Sequence, residues 1–273
     1  MAVRPERVPA EEVRQRMLDA GRDLASEAGA ALIIEHLRLE EVIQRARVPR
    51  SSAYRMWPYK EDYIDDLLCY LAGIGNWFNE RPVFDPETFA VLSQVLEDHR
   101  ELFGSLAGRR ALLCEVVRLT VARNYLALTE SIPWRLHMAL SATLGSTRSG
   151  EARQKIAAAL EEAQRVSRDS LVAVFGFAAE ALGLRLRDPA ATVEHMQLAG
   201  GLLVQSLALR NVQVQAACAD TGEAARVDAL LNAPLPGPSL DGQPAEWSLA
   251  AFAYLGVVDA FAELDPDFIP PAA

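Results

Sequence analysis

One short stretch, residues 39–61, constrains the fold more than the rest of the chain does. It reads LEEVIQRARVPRSSAYRMWPYKE, and its first apolar residues recur at the spacing of one helix face: Leu39, Val42, Ile43 and Ala46. Pro49 then ends this helix, because a proline pushes the residue before it out of the α-helical region. A second short helix follows at residues 50–56, with Ala53 and Trp57 as its apolar anchors. The stretch therefore predicts two short helices joined by a tight turn.

Basic residues are concentrated in the same stretch. Residues 38–60 contain six arginines or lysines and two glutamates, a net charge of +4, whereas the whole chain carries −10. The remainder of the chain therefore carries −14. A basic patch on an acidic protein is typical of a nucleic-acid-binding segment, although overall acidity alone would argue against such a partner. The alternative is a solvated helical hairpin whose arginines only keep it soluble.

The second of these short helices carries side chains suited to double-stranded DNA. In helix-turn-helix proteins the second helix lies in the major groove, where hydroxyl and guanidinium groups donate hydrogen bonds to base edges and phosphates. We expect four residues to read bases: Arg50, Ser51, Ser52 and Arg55. We expect three more to hold phosphates: Arg38, Tyr54 and Lys60.

Roughly the first 70 residues resemble the N-terminal signature of the TetR family of transcriptional regulators. The matching residues form a first helix with its glycine stop (Met17 to Ala20, Leu24, Glu27 to Gly29), the helix-turn-helix (Val42, Ala46, Val48, Tyr54) and the end of the motif (Trp57, Lys60, Glu61). The resemblance implies an N-terminal three-helix DNA-binding domain, followed by a helical bundle for ligand binding and dimerisation. It also implies a double-stranded DNA operator as partner.

Three positions depart from the family pattern. Arg38 stands where the family usually has a threonine that caps the second helix, and Pro49 replaces the usual serine. Arg47 replaces the usual glycine of the turn. A non-glycine residue in the left-handed region costs about 1–2 kcal/mol. Either this turn is strained, or its backbone differs from the family's.

Helical periodicity continues through the rest of the chain, without strand alternation or repeats. The predicted fold class is all-α, with about nine or ten helices. Two dipeptides, Arg81-Pro82 and Asp85-Pro86, mark a boundary between a DNA-binding domain with its linking helix (1–80) and a ligand-binding and dimerisation domain (81–273). Residues 109–130 are apolar nearly all round, which predicts a helix buried inside the second bundle.

The segment 219–245 interrupts this pattern. It holds a series of glycines and prolines: Gly222, Pro234, Pro236, Gly237, Pro238, Gly242 and Pro244. The sequence predicts mostly loop here, with one short helix at 224–231. Long loops in compact domains are often functional; the alternative is a tolerated surface insertion between two helices.

The last two long helices contain glycines in their interiors, at positions 200, 201 and 256. Glycine inside a helix costs about 1 kcal/mol relative to alanine, and close approach by another helix would compensate. The resemblance implies a homodimer in which these two helices pair with their copies. We expect its interface to include Gly200, Leu203, Leu207, Phe252 and Gly256. The alternative is that both helices simply cover the protein's own core.

Polar and amphipathic residues interrupt the very apolar helices in the middle of the second region: Arg118, Arg123, Asn124, Tyr125, Glu130, Trp134 and His137. In a mostly apolar cavity, such groups orient a ligand. We expect a pocket with Arg118, Tyr125, Trp134 and His137 at its wall, and an apolar or aromatic effector. The alternative is that each of these residues is paired or reaches solvent at a helix end.

The sequence offers little support for catalysis or a cofactor. Its four histidines are isolated, and neither an HExxH motif nor paired CxxC motifs occur. Residues 145–150 have the glycine spacing of a P-loop, but Glu151 and Ala152 stand where a lysine and a hydroxyl residue would bind phosphate and metal. Three scattered cysteines favour neither disulfides nor zinc, so we expect no cofactor.

Membrane and secretory signals are equally weak. No apolar run approaches the roughly 18 residues of a membrane span, and the first residues lack the apolar region of a signal peptide. We therefore expect a cytoplasmic protein with no membrane partner.

Together these features predict a homodimeric DNA-binding regulator, most simply a repressor released from a palindromic operator by a small apolar or aromatic ligand. Two DNA-binding domains about one helical turn apart would read such a palindrome. The alternative from another functional class is a helical scaffold that binds protein partners through the acidic bundle. Salt-dependent binding to DNA would separate the two.

Overall fold

The computed structural model describes residues 9–27, 37–74, 86–146, 149–216 and 222–269. The α-helices of these residues are α1 (Ala10–Glu27), α2 (Leu39–Ala46), α3 (Arg50–Met56), α4 (Lys60–Ile74), α5 (Pro86–Asp98), α6 (Leu106–Glu130), α7 (Ile132–Thr143), α8 (Gly150–Leu182), α9 (Val193–Ala216), α10 (Gly222–Asn232) and α11 (Leu249–Phe261). Short 3-10 helices cover Arg100–Gly104 and Leu144–Ser146. The predicted all-α fold is confirmed.

The chain divides into two compact units. The first comprises Met1–Trp77 and Ile132–Gln164, and the second comprises Phe78–Ser131 and Arg165–Ala273. Helix α7 and the first half of α8 therefore group with the helix-turn-helix region, whereas the sequence assigned them to the second domain. The predicted boundary residues Arg81, Pro82 and Asp85 lie outside the described residues.

The first unit is built around the predicted helix-turn-helix. Helix α1 packs against α2, α3 and α4, and the whole predicted apolar stripe of α2 is buried: Leu39, Val42, Ile43 and Ala46. Ala53 of α3 and Trp57 directly after it lie in the same core. Trp57 meets the ring of Tyr63 edge-on, with 5.2 Å between ring centres, and its Nε1 donates a hydrogen bond to Asp66 at 3.0 Å. These contacts fix the end of α3.

Gly21 allows α1 and α4 to approach closely. A Cβ atom at Gly21 would lie 2.2 Å from the hydroxyl oxygen of Tyr63. That hydroxyl donates a hydrogen bond to the backbone carbonyl of Met17 at 2.9 Å, and burial raises the pKa of Tyr63 well above its usual range. The glycine therefore makes room for the hydrogen bond that joins these two helices.

Arg47 closes the turn between α2 and α3 in the left-handed conformation, with φ 53° and ψ 43°. It is the only non-glycine residue with positive φ in the described part of the chain. Its backbone N–H caps α2 by donating to the carbonyls of Gln44 and Ile43. Of the two possibilities that the sequence raised, the structure has the first: the turn keeps its left-handed geometry and is strained.

Helix α6 is the central helix of the second unit. It packs against α5, α9 and α11, and twelve of its 25 residues are buried, as predicted for an apolar helix inside a bundle. The hydroxyl of Ser105 caps its first turn by accepting a hydrogen bond from the backbone N–H of Gly108 at 3.0 Å.

Two short antiparallel sheets accompany the helices. Strand β1 (Leu184–Leu186) pairs with β4 (Ala262–Leu264), and β2 (Leu235–Gly237) pairs with β3 (Ala245–Trp247). The sequence predicts none of these strands. Each strand has only three residues, too few to produce a recognisable alternation of apolar and polar positions.

The glycine- and proline-rich segment is more regular than predicted. Helix α10 covers the predicted short helix, but β2 and β3 form a hairpin where the sequence predicts loop. Trp247 is 1% exposed, and its Nε1 donates a hydrogen bond to the carbonyl of Pro238 at 2.9 Å. A Cβ atom at Gly237 would lie 2.6 Å from the Trp247 ring. The tryptophan therefore holds the hairpin closed across a glycine.

Candidate nucleic-acid interface and cavity

The side chains predicted to bind DNA lie on and beside α3. Four are exposed (Arg38, Arg50, Ser51 and Arg55) and three are half-buried (Ser52, Tyr54 and Lys60). On α3, the exposed Ser51 and Arg55 lie on the side opposite the buried Ala53, and the exposed Arg50 is the first residue of the helix. The other two arginines of the basic stretch, Arg45 and Arg47, are exposed as well. The first unit therefore presents a short helix whose outer face is basic and whose inner face is fixed in the core.

Glu40 of α2 contacts this outer face. Its Oε1 accepts a hydrogen bond from the Tyr54 hydroxyl at 2.7 Å and one from Nη2 of Arg50 at 3.3 Å. The guanidinium carbon of Arg50 also lies 5.4 Å from the centre of the Tyr54 ring. The hydrogen bond from Tyr54 is the main cause that lowers the pKa of Glu40. Glu40 thus holds two of the predicted DNA contacts together, a role that its place in the sequence did not suggest.

Arg38 occupies the N-cap position of α2. Its backbone is extended, with φ −95° and ψ 122°, and its side chain makes no capping hydrogen bond. A threonine at this position would satisfy one of the free backbone N–H groups of the helix. The departure from the family pattern therefore exchanges a capping hydroxyl for an exposed positive charge.

The second unit contains a cavity between α6, α8, α9 and α11. Its walls are mainly aliphatic, with Leu113, Val117, Val121, Val174, Met196 and Val204 among the lining residues. The volume is about 70 Å³, well below the roughly 300–1,000 Å³ of pockets that hold drug-sized ligands. The cavity therefore has room for a small molecule only.

Four polar side chains also line this cavity: Thr120, Asn124, Gln197 and Tyr254. The Tyr254 hydroxyl donates a hydrogen bond to Oε1 of Gln197 at 2.8 Å, and burial raises the pKa of Tyr254 to about 12. The Thr120 hydroxyl donates to the backbone carbonyl of Val116 in its own helix at 2.6 Å. Oδ1 of Asn124 is buried and has no hydrogen-bond partner among the described residues.

None of the four residues predicted at the pocket wall lines this cavity. Arg118 and Tyr125 lie on a neighbouring face of α6, where Arg118 forms an ion pair with Glu115 at 2.5 Å. Trp134 and His137 belong to α7 in the first unit. The helical angle decides the outcome for the first two. The cavity-lining residues of α6 recur at a spacing of three and four on one face, whereas Arg118 and Tyr125, seven residues apart, share another face about a third of a turn away.

The sequence points to one of the four polar cavity residues, Asn124, and not to Thr120, Gln197 or Tyr254. Asn124 belongs to the polar residues that interrupt the apolar helices, but the sequence favours its neighbour Tyr125 for the pocket wall. Gln197 and Tyr254 are 57 residues apart in sequence. The one signal that could have found them is a glutamine and a tyrosine among the apolar positions of two helices predicted to pack together.

The residues predicted for the dimer interface have different surroundings. A Cβ atom at Gly200 would lie 2.3 Å from the Tyr254 ring, so this glycine accommodates a contact within the chain. Leu203 and Leu207 are half-buried on α9. Phe252 is 44% exposed, and Gly256, one turn later on α11, faces open space. The exposed part of the predicted surface therefore consists of α11 residues, and Gly200 serves the chain's own core.

Within the described residues, no helix is sufficiently long and apolar to span a membrane. The same part of the chain holds no group of three or more side chains placed to bind a metal ion.

No family model matches the chain, and no curated protein or solved structure matches it significantly. The resemblance to the TetR family therefore depends on the sequence motifs alone.

Proposed function

We propose that this protein is a DNA-binding transcriptional regulator of the TetR type, most simply a homodimeric repressor that a small ligand releases from its operator. One observation carries the proposal. A short helix with an exposed basic face follows a tight turn, and it belongs to a chain that is otherwise strongly acidic. Exposed arginines on such a helix suit the negatively charged backbone and the major groove of DNA.

Two groups of residues have different roles in DNA recognition. Arg50, Ser51, Ser52 and Arg55 read base edges. Arg38, Tyr54 and Lys60 hold phosphates and so set the register of the helix on the duplex. Because phosphate contacts carry no sequence information, loss of one weakens binding to all sequences, whereas loss of a base contact reduces discrimination.

Dimerisation places two such helices on one duplex. Exposed apolar side chains on the last two long helices support this part of the proposal: Leu198, Leu202 and Phe252 are 62%, 54% and 44% exposed. Single exposed apolar residues are common, but Leu198 and Leu202 lie one turn apart on the same face of α9, and such a pair favours a protein interface. We expect a mass in solution of about twice 29.8 kDa.

The cavity in the second unit is the proposed ligand site. A ligand shifts an equilibrium only by its difference in affinity for two states. Release from an operator needs a modest coupling free energy, of the order of 1–3 kcal/mol. A ligand that widens the small cavity between α6, α9 and α11 would move α9 and α11 apart from α6. These two helices also carry the proposed dimer surface, so the movement would reach the dimer.

Discrimination between DNA sequences tests this function. The probe is a labelled duplex from the region upstream of the protein's own gene, and a scrambled duplex is the control. Arg50→Ala should relax specificity at particular base pairs, by about 1–3 kcal/mol each, while Arg100→Ala, an exposed arginine of the second unit, should change nothing. Equal binding of both duplexes by the unaltered protein, or loss of specific and non-specific affinity together in Arg50→Ala, would contradict the assignment. A protein that binds no DNA would favour the scaffold alternative.

A further inference from the structure

We propose that the cavity of the second unit binds a small, uncharged, single-ring molecule whose hydroxyl group donates a hydrogen bond to Oδ1 of Asn124. This molecule would be the effector of the proposed regulator, and that role rests on the proposed function. The binding site itself depends only on the cavity.

The lining excludes a charged ligand. None of the described residues that line the cavity is an Asp, Glu, Lys, Arg or His. Arg118, the basic residue that the sequence favours for the pocket, is paired with Glu115 on another face of α6. Moving an ionised group from water into such surroundings without a counter-charge is very costly. A neutral molecule pays no such cost and gains from contact with the aliphatic walls.

The polar groups of the lining point to one hydrogen bond. Thr120 donates to the carbonyl of Val116, and Tyr254 donates to Gln197, so both hydroxyl hydrogens are already used. Oδ1 of Asn124 is buried without a partner among the described residues. A buried acceptor without a partner costs about 1–3 kcal/mol, and a ligand donor that reaches this atom, by a turn of the Asn124 amide toward the cavity, recovers that free energy. The cavity therefore prefers a ligand with a donor over a ligand of the same shape without one.

The size of the cavity limits the ligand further. A volume of about 70 Å³ leaves no room for a multi-ring compound unless the helices move apart. Phenol, toluene and benzoate are suitable probes, because they share one ring and differ in having a donor, no polar group, or a charge. We expect phenol to bind at least about tenfold more tightly than toluene, and benzoate to bind more weakly than either.

Two variants separate the Asn124 contact from general effects. Asn124→Leu keeps a side chain of similar size but removes the acceptor, so phenol should lose its advantage over toluene while the unliganded protein is no less stable. Tyr125→Phe is the matched control. This substitution removes another buried oxygen that has no partner among the described residues. The oxygen is one position away from Asn124 in sequence but lies outside the cavity. The ratio of phenol affinity to toluene affinity should therefore stay as in the unaltered protein.

Calorimetric titration of the full-length protein with each probe decides the proposal. It is overturned if phenol and toluene bind equally, if neither binds at millimolar concentration, or if Asn124→Leu keeps the phenol preference. Binding to the upstream duplex is measured in the same preparations without probe. DNA binding without phenol binding would remove this inference alone, whereas phenol binding without DNA binding would remove the proposed function and leave the cavity site intact.

Discussion

The hydroxyl of Tyr54 lies 2.7 Å from Oε1 of Glu40, so a residue of α2 holds a proposed phosphate contact of α3. The same carboxylate accepts from Arg50. In this arrangement the tyrosine donates its only hydroxyl hydrogen within the protein, and a negative charge lies beside the proposed DNA surface. For Tyr54 to donate to a DNA phosphate, its hydrogen bond to Glu40 would have to break.

Removal of the Glu40 carboxylate should strengthen DNA binding. We expect Glu40→Ala to raise affinity by roughly two- to fivefold, the equivalent of about 0.5–1 kcal/mol, because it frees Tyr54 and Arg50 and removes a repulsive charge. Glu41→Ala is the control, since it removes the same charge from the adjacent, exposed position. Fluorescence anisotropy with one duplex compares the two. Equal gains would mean that charge alone matters and that the contact with Tyr54 has no effect.

Relief of the strained turn should stabilise the protein. Arg47 is the residue held at φ 53°, and a left-handed conformation costs a residue with a side chain about 1–2 kcal/mol. We expect Arg47→Gly to raise the free energy of unfolding in urea by about 1 kcal/mol. Arg47→Ala removes the charge but keeps the strain, and it should leave stability close to that of the unaltered protein. Equal effects of the two substitutions would assign the change to charge.

Arg109 should be essential for the stability of the second unit. It is 3% exposed, and its guanidinium donates to the carbonyls of Leu182 at 2.8 Å and Asp265 at 2.9 Å. Arg109→Met leaves both carbonyls without that donor, at a cost of roughly 2–6 kcal/mol for the pair. Arg110→Met removes a half-exposed ion pair with Asp259 and should cost no more than about 1 kcal/mol. Similar unfolding midpoints for the two variants would contradict this assignment.

Stability should fall in mild acid because of His137. Burial lowers the pKa of its imidazole below the usual value, so the unfolded chain takes up the proton first, near about pH 6.5. The contribution of the neutral imidazole is therefore complete above that pH, and it is lost as pH falls toward the lower pKa of the folded state. In urea titrations from about pH 7.5 to about pH 5.5, His137→Gln should lose less stability than the unaltered protein. His195→Gln, at an exposed position, is the control, and equal losses in all three proteins would exclude His137.

The sequence predicts the parts of this fold that depend on local spacing. The buried stripe of α2, the turn at Pro49 and the buried α6 all follow from periodicity or from one proline. The strain at Arg47 follows from the absence of glycine.

Contacts between distant residues could not be predicted in this way. Tyr254 meets Gln197 only because α9 and α11 pack together, and Arg109 bonds a carbonyl 156 residues later. Strands β1 and β4 pair residues such as Arg185 and Glu263, which are 78 positions apart in sequence. The choice between Asn124 and Tyr125 as cavity residue depended on the rotation of α6 about its axis, which a nearly uniform apolar helix does not reveal.

The dependence of DNA affinity on salt tests the central claim most directly. Binding of the upstream duplex is measured over a series of salt concentrations, and log K is plotted against log salt. Each phosphate contact contributes about −0.9 to the slope. With the charged contacts Arg38 and Lys60 on each subunit of a dimer, we expect a steep negative slope that becomes shallower by about two units in Lys60→Ala, one for each subunit, and is unchanged in Arg100→Ala. A slope near zero for the unaltered protein would show that its basic face does not bind the DNA backbone, and would contradict the account.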